Sequence, residues 1–302
     1  MQNPFSINPL IIEGIEISLW GSFILKTAGK VIRKTQSLQG EGSEVIEHRV
    51  NGYREIDPDI IGLDRLIEDI ILEELENTRT WCIIQSEEAG RIEIGSSEKN
   101  DLTPLYFFCD PIDGSSLYRR QIPAFWYTAF SIWLNPQTPI TAVVANLVTG
   151  QIEFSDGNKA FSCHYKNGKF SGLKPLRARD NTPVSLKEAY VATYLMKPAV
   201  LFSSLHLFGP LLKNAKFILP NGGPSGFSDL ARGSIDLYLA WKESATEIFT
   251  GLPIALAAGM KIRPLDGKPL QFQDDLKAEY SLAAAACDEL LEVALSLIKT
   301  HH

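Results

Sequence analysis

The sequence lacks an apolar run long enough to cross a bilayer, which argues against a membrane-spanning helix. It also lacks a basic excess: the net charge is −7 and no basic stripe with interleaved aromatics occurs, so we expect neither nucleic acid nor membrane as a partner. Neither Gly-x-Gly-x-x-Gly nor a Walker loop is present, which argues against a generic nucleotide-binding protein. The first residues carry no charged segment before a long apolar core, and we therefore predict a cytoplasmic location.

Cysteine is scarce as well. Cys82, Cys109, Cys163 and Cys287 show neither disulfide pairing nor zinc-ligand spacing, so we predict reduced thiols, two of them in core strands. What the chain does have is 45% hydrophobic residues in a length of 302, enough for sizeable cores. A chain of this length has a prior of about two domains.

Apolar periodicity predicts a helix over residues 15–34 and a second one over 59–76. Alternating patterns predict strands over 125–133 and a hairpin from 140–147 into 151–154. The stretch 175–183 is basic, then polar, and contains proline, which favours a boundary between subdomains. Beyond it, strand and helix patterns alternate up to a closing strand and helix.

The most informative stretch runs over residues 108–116 and reads FCDPIDGSS. Pro111 disfavours helix at the preceding residue, so we predict that a strand over 105–108 ends there and presents Asp110 and Asp113 at its carboxyl end. The alternative is a simple Asp-Pro turn with an aspartate as helix N-cap.

The residues after these acids suit an anion. Gly114 allows close approach of the backbone to a ligand, and the amides of Gly114, Ser115 and Ser116 would open a helix whose N-terminus attracts negative charge. Carboxylates next to such amides suit Mg²⁺ and phosphate together.

A second acidic pair, Glu87 and Glu88, closes a predicted strand over residues 81–85. If the two strands lie side by side and parallel, their carboxyl ends face one crevice, which is where open α/β sheets usually bind ligands. The alternative for this pair is a solvated strand end.

These two motifs resemble those of the inositol monophosphatase and fructose-1,6-bisphosphatase superfamily of Mg²⁺-dependent, lithium-sensitive phosphatases. In that superfamily a strand ending in Glu-Glu precedes Asp-Pro-Ile/Leu-Asp-Gly-Ser/Thr, and residues 58–299 follow the same order. The resemblance implies an α/β (α+β) fold, a layered α/β/α/β/α sandwich with the site between two subdomains. Residues 1–178 would carry most metal ligands, and residues 179–302 would complete the site.

The resemblance points to two further acids. Asp64 fits a family aspartate on a helix upstream of the Glu pair, although Leu63 replaces its usual threonine neighbour. Glu247 fits the third metal carboxylate at a helix start, where Thr246-Glu247 replaces the Trp-Asp of inositol monophosphatases and matches the glutamate of fructose bisphosphatases. Without the resemblance, Asp64 would be one acid of an exposed helix face, and Glu247 would only offset a helix dipole.

The resemblance implies a role for each of these residues and two or three Mg²⁺ ions per site. The metal ligands would be Glu87, Asp110, the Ile112 carbonyl, Asp113 and Glu247, with Glu88 as a further possibility. Asp64 and the Ser115 hydroxyl would activate the attacking water, and the amides of Gly114, Ser115 and Ser116 would hold phosphate oxygens.

The expected substrate is a small sugar or cyclitol phosphate, and the expected assembly is a homodimer or homotetramer. Inositol monophosphatases carry a hydroxyl-binding acid where this chain has Ala240, which favours activity on fructose 1,6-bisphosphate at least comparable to that on inositol 1-phosphate. A second phosphate needs cations, and Lys242, Arg232 and Arg119 are candidates, although Arg119 and Arg120 also read as surface charges.

The alternative function is a non-catalytic, regulatory Mg²⁺-binding relative.

Overall fold

The computed structural model describes residues 8–48, 58–95, 103–178 and 185–299. The helices are α1 (Leu19–Leu38), α2 (Gly62–Glu76), α3 (Ser115–Arg119), α4 (Pro198–Leu212), α5 (Pro224–Arg232), α6 (Ala245–Ala257) and α7 (Asp288–Lys299). The strands are β1 (Ile11–Ile12), β2 (Ile15–Glu16), β3 (Val45–His48), β4 (Asp59–Ile61), β5 (Cys82–Ser86), β6 (Gly90–Ile94), β7 (Leu105–Asp113), β8 (Tyr127–Asn135), β9 (Thr138–Asn146), β10 (Gln151–Asp156), β11 (Lys159–Lys166), β12 (Lys169–Leu176), β13 (Tyr190–Thr193), β14 (Phe217–Leu219), β15 (Leu237–Glu243), β16 (Lys261–Pro264) and β17 (Tyr280–Ala285).

Two sheets organise the described residues. The larger has eight strands in the order β12-β11-β10-β9-β8-β7-β5-β6, and β5 and β7 are its parallel pair. The smaller has five strands in the order β14-β13-β15-β17-β16, in which β13 runs parallel to β14 and β15. The parallel neighbours in each sheet bring carboxyl strand ends together, where ligands are usually found.

Helices and sheets stack in layers. Helices α1 and α2 pack on one face of the eight-stranded sheet, α5 and α6 lie between the two sheets, and α4 and α7 cover the outer face of the five-stranded sheet. Each boundary buries its own apolar cluster, because every sheet or helix face that is apolar must be covered by another layer. This α/β/α/β/α order confirms the predicted α+β sandwich.

Helix α1 begins four residues later than the periodicity predicts. Ile15 and Glu16 instead pair with β1, and Ser18 caps the helix by accepting a hydrogen bond from the Gly21 amide at 3.0 Å. A serine at the N-cap satisfies one of the amides that the first turn leaves without a partner. The apolar periodicity therefore located the helix, and the capping residue fixed its start.

Strand β7 does not end before Asp110, as the sequence predicted. It continues to Asp113, with a register shift between Asp110 and Asp113 where it pairs with β8. Pro111 cannot donate to the ladder, and such residues in strands occur at bulges. Pairing with β8 on both sides of this register shift thus overrides the local stop signal.

The division into residues 1–178 and 179–302 stays a prediction, since residues 179–184 lie outside the described part of the chain. The middle apolar cluster draws residues from both sides of that segment, so the two halves share one core layer. Among the helices that the structure describes, none combines the length and the apolar character required to cross a bilayer.

Candidate active site

The ends of β5 and β7 form the floor of the candidate site. These strands are parallel, Ser86 pairs with Cys109, and the Glu87 amide donates to the Cys109 carbonyl at 3.0 Å. Glu87 and Asp110 therefore leave neighbouring strands side by side. This is the juxtaposition that the sequence predicted for the two acidic motifs.

Asp110 and Asp113 carry buried oxygens without hydrogen-bond partners. Asp110 is 2% exposed, and its Oδ1 atom and the Oδ2 atom of Asp113 have no partner within the described residues. A buried polar atom without a partner is unfavourable unless an ion or another ligand satisfies it. These two oxygens are consistent with a bound cation.

Gly114 makes the turn after the acids possible. Its φ is +95°, and a Cβ atom at this position would lie 2.0 Å from the Phe125 carbonyl oxygen. Only glycine tolerates both the left-handed backbone and this approach. The turn leads directly into α3, as predicted, and Ser115 is buried at its first position.

Glu247 reaches the site from the first turn of α6. The Ser244 hydroxyl accepts a hydrogen bond from the Glu247 amide at 3.2 Å, and the Glu247 carboxylate accepts one from the Ser244 amide at 2.7 Å. This reciprocal pair is a capping box, which fixes the start of the helix. The structure therefore gives Glu247 a capping role, and it retains a second carboxylate oxygen for another partner.

Glu87, Asp110, Asp113 and Glu247 form one electrostatic group, called the acid cluster below. The pKa of Asp110 is raised well above its usual value by burial, and further by the charges of Glu87 and Asp113. Burial also raises the pKa of Asp113, followed by the charges of Glu247 and Glu87. Burial and the charge of Glu87 raise the pKa of Glu247, while its bonds to Ser244 oppose the shift.

The acid cluster suits a hard divalent cation chemically, because such ions prefer carboxylate oxygens and would relieve the mutual repulsion. It is not a preformed metal cage. No three histidine, cysteine, aspartate or glutamate side chains in ranges 8–48, 58–95, 103–178 and 185–299 are arranged to hold a metal ion. The features that favour an ion here are the partnerless oxygens of Asp110 and Asp113 and the shared charge of the four acids.

Asp64 lies in the first turn of α2 and is fully buried, so it does not belong to an exposed acidic face. Its Oδ2 atom accepts a hydrogen bond from the Ile61 amide at 2.9 Å, which anchors the helix start. Its predicted pairing with Ser115 in water activation stays a prediction.

Sequence reasoning missed Glu68, one helical turn after Asp64. This buried carboxylate accepts hydrogen bonds from the Ser86 hydroxyl and from the Ala89 amide, the latter at 2.7 Å, and pairs with Arg65 at 2.8 Å. It therefore holds the turn that carries Glu87. Its spacing from Asp64 was visible in the sequence, but nothing there showed that this face is buried.

Two other residues near the acid cluster were also missed. Lys197, directly before α4, contributes a positive charge that lowers the pKa of both Asp113 and Glu247. Glu243 is buried, contacts the Gly223 amide at 3.4 Å and accepts a hydrogen bond from the Tyr238 hydroxyl. No local motif marks these residues, because only the packing of the five-stranded sheet brings them to the site.

The remaining candidates have other partners. Glu88 is 1% exposed, whereas Lys242 is on the surface with its Nζ atom 3.5 Å from Glu279. Arg119 forms an ion pair with Asp59 at 2.9 Å, which agrees with its interpretation as a surface charge. Metal binding by Glu88 and the Ile112 carbonyl, phosphate binding by Gly114, Ser115 and Ser116, and anchoring by Lys242 stay predictions.

Comparison with known proteins gives the fold. No family model matches the chain, and no curated protein matches it. A hypothetical protein from Pyrococcus horikoshii, described as similar to inositol-1 monophosphatase, has a TM-score of 0.67 at 21% identity, covering 92% of this chain and 97% of its own. The extragenic suppressor protein SuhB from Bartonella henselae has a TM-score of 0.71 at 16% identity, covering 93% and 99%.

A third solved structure is a gene product named inositol monophosphatase-fructose 1,6 bisphosphatase. It has a TM-score of 0.68 at 20% identity, covering 92% of this chain and 99% of its own. The layered arrangement is thus one that phosphatases use. More narrowly, the chain has the fold of the inositol monophosphatase superfamily, as its motifs predicted.

Proposed function

We propose that the protein is a Mg²⁺-dependent phosphomonoesterase that hydrolyses a small sugar or inositol phosphate. The observation that carries this proposal is the acid cluster, in which Asp110 and Asp113 keep buried oxygens without partners in the described residues. The fold it shares with proteins named inositol monophosphatase supports the same chemistry. Fold alone does not specify a function, so the proposal rests on the cluster.

The residues of the site would have three different roles. Glu87, Asp110, Asp113 and Glu247, with the Ile112 carbonyl, would hold the ions, and Mg²⁺ when bound supplies charge stabilisation and an acidified water. The Ser115 hydroxyl would orient the attacking water and relay its proton to the Asp64 carboxylate. The backbone amides of residues 114–116 would bind phosphate oxygens as negative charge develops.

The substrate preference follows from one buried position. Ala240 lies within β15, is fully buried and belongs to the middle apolar cluster, so it supplies no hydroxyl partner. A site without such a partner discriminates weakly for inositol. We therefore propose activity on fructose 1,6-bisphosphate at least comparable to that on inositol 1-phosphate.

We also propose a homo-oligomer in the cytoplasm. Exposed side chains of Phe217 and Ile218 on β14, with Tyr190 on the paired strand β13 against Phe217 at 5.5 Å, support a subunit interface, because monomers rarely expose large contiguous apolar patches. Sedimentation velocity would reveal the assembly, and a monomer at micromolar concentration would contradict this part of the proposal.

The deciding experiment is phosphate release by the purified protein on a panel of phosphate esters, with and without Mg²⁺. We expect release that requires Mg²⁺, and kcat/KM for inositol 1-phosphate no more than about tenfold above that for fructose 1,6-bisphosphate, near 1.4 kcal/mol. No release from any ester would favour the second candidate, a non-catalytic Mg²⁺-binding relative. That alternative is favoured specifically by the Thr246-Glu247 departure from the family motif.

A further inference from the structure

A cavity of about 490 Å³ lies apart from the acid cluster. It is an open cavity bordered by the turn between β8 and β9, by the side of α6, and by β16 with the segment that follows it. None of the four carboxylates of the acid cluster is among its lining residues. Its volume falls within the roughly 300–1,000 Å³ that is typical of small-molecule sites.

The apolar floor of the cavity rests on a packed aromatic base. Trp133 and Phe249 meet edge to face with ring centroids 5.4 Å apart, and each is only 2% exposed. The apolar surface open to a ligand is therefore supplied by Leu256 on α6 and by Ile262 and Leu270. Such a floor suits an apolar body, because removing apolar surface from water is favourable.

The walls are stiff. Pro136, Pro264 and Pro269 all line the cavity, and each has a fixed φ. Because the backbone of these walls is already restricted, it loses little conformational entropy when a ligand binds, and little binding free energy is lost in ordering it. The cavity is therefore suited to bind without rearrangement.

Cations stand at the rim. Arg263 and Lys268 line the cavity and their side chains are 53% and 82% exposed. Both have partners on the protein: Arg263 lies 3.9 Å from Asp288 and donates to the Ile262 carbonyl at 3.1 Å, and Lys268 lies 4.0 Å from Asp266. Asp288 also lies 3.3 Å from Lys261, so its charge is shared. Exposed pairs at these distances contribute little, and both cations remain able to contact an anion.

We propose that this cavity binds a small amphipathic anion, with an apolar body against Leu256, Ile262 and Leu270 and an acidic group at Arg263 and Lys268. The assignment follows from the pairing of an apolar floor with a cationic rim. It does not depend on phosphatase activity, since the acid cluster takes no part in the lining.

The test uses 8-anilinonaphthalene-1-sulfonate, which combines a flat apolar body with an anionic group. We expect saturable fluorescence enhancement with one molecule per chain. The double variant Arg263→Gln/Lys268→Gln should weaken binding at least tenfold. The matched control Lys159→Gln/Lys166→Gln removes two exposed lysines from β11, away from the cavity, and should bind like the wild type.

A second variant tests the apolar floor. Leu256 is 45% exposed, so Leu256→Trp should fold and project its ring into the cavity. We expect this variant to lose the fluorescence enhancement, with circular dichroism and melting temperature serving as folding controls. If it fails to fold, the charge variant decides alone, because both of its positions are exposed.

Three outcomes would overturn the proposal. Wild-type affinity in the Arg263→Gln/Lys268→Gln variant would show that the rim does not bind the anion. Several dye molecules per chain would indicate adventitious surface binding. A signal that falls as protein concentration rises, together with a dimer in sedimentation velocity, would show that a second copy of the chain covers the cavity.

Discussion

Two groups of carboxylates in the middle layers show opposite arrangements. Glu153 on β10 and Asp229 on α5 both pair with Arg232, the former at 3.4 Å, so this group carries its own cation. The acid cluster brings four carboxyl groups together, burial and mutual repulsion raise the pKa values of Asp110, Asp113 and Glu247, and partnerless oxygens remain on Asp110 and Asp113 within the described residues. The first group therefore carries its own counter-charge, whereas in the second the charge of Lys197 faces several acids.

The difference separates a structural role from a functional one. Buried charges that are paired hold layers together, and buried charges that repel one another are retained where a ligand compensates them. Lys197 softens the repulsion but does not match it, because its single charge faces several acids. The comparison therefore predicts that removing one charge from the acid cluster raises the free energy of unfolding, whereas removing the charge of Arg232 lowers it.

The largest expected effect is at Asp110. Asp110→Asn should lower Mg²⁺-dependent turnover by about three orders of magnitude or more, as loss of a metal-borne water does. In the absence of Mg²⁺ the same variant should be more stable than the wild type, because repulsion with Glu87 and Asp113 is relieved. Phosphate-release assays and urea unfolding measure the two effects, and Glu73→Gln on exposed α2 surface is the control. Near wild-type turnover would refute the metal site.

The next effect concerns the hydroxyl of Ser115. Ser115→Ala should reduce kcat by on the order of a hundredfold with little change in KM, since a proton-handling group acts mainly in the transition state. Ser115→Thr keeps the hydroxyl and should retain most activity. If both variants are equally inactive, the hydroxyl is not what matters at this position.

The group around Arg232 should respond through stability. Arg232→Gln would leave Glu153 and Asp229 buried without their cation. We expect a loss of about 2 kcal/mol in the free energy of unfolding, less than for a fully buried pair because the Arg232 side chain is 36% exposed. Equilibrium urea unfolding at neutral pH measures it. An unchanged midpoint would mean that the pairs do not stabilise the fold.

The variant Glu247→Gln separates the helix-capping role of this residue from the role of its negative charge. Glutamine also serves at the third position of a capping box, so Glu247→Gln should change stability by less than about 1 kcal/mol. Loss of the charge should still raise the Mg²⁺ concentration needed for half-maximal activity by at least about tenfold. Should the Mg²⁺ requirement stay the same, helix capping is the whole role of this residue.

The smallest expected effect is a pH dependence at Glu153. Burial raises the pKa of Glu153 to about 7, partly offset by Arg232. The folded state binds the Glu153 proton more tightly than the unfolded state does. The stabilisation of the folded state by this protonation is therefore fully present below the unfolded pKa and is lost as pH rises through the folded pKa. Unfolding free energies between pH 5 and pH 8 should therefore fall less steeply for Glu153→Gln than for the wild type. Parallel curves would exclude Glu153 as the source.

The sequence predicted those parts of the site that depend on local chemistry. The Asp110 motif and the Glu pair were recognisable because strand, proline, glycine and acids follow one another directly along the chain. The parallel pairing of β5 with β7 confirmed their juxtaposition. The extension of β7 to Asp113 was not predictable in this way, because it depends on pairing with β8 across a bulge.

The residues that sequence reasoning missed share a different cause. Lys197 and Glu243 reach the acid cluster only through the assembly of the five-stranded sheet. Glu68 becomes important only because its helix face is buried against the turn at Ser86. No periodicity or motif near these positions carries that information, since each contact joins segments that are distant in the chain.

The acid cluster takes its residues from both sides of residues 179–184, and this matters for cutting the protein into fragments. A chain divided in that segment would leave Glu87, Asp110 and Asp113 on one fragment and Glu247 on the other. Helix α6 packs on β7, β8 and β9, so apolar contact would draw the fragments together. A divalent ion that binds only the reassembled pair would strengthen their association by mass action. The divided protein would thus be a complementation pair whose reassembly is switched by metal concentration.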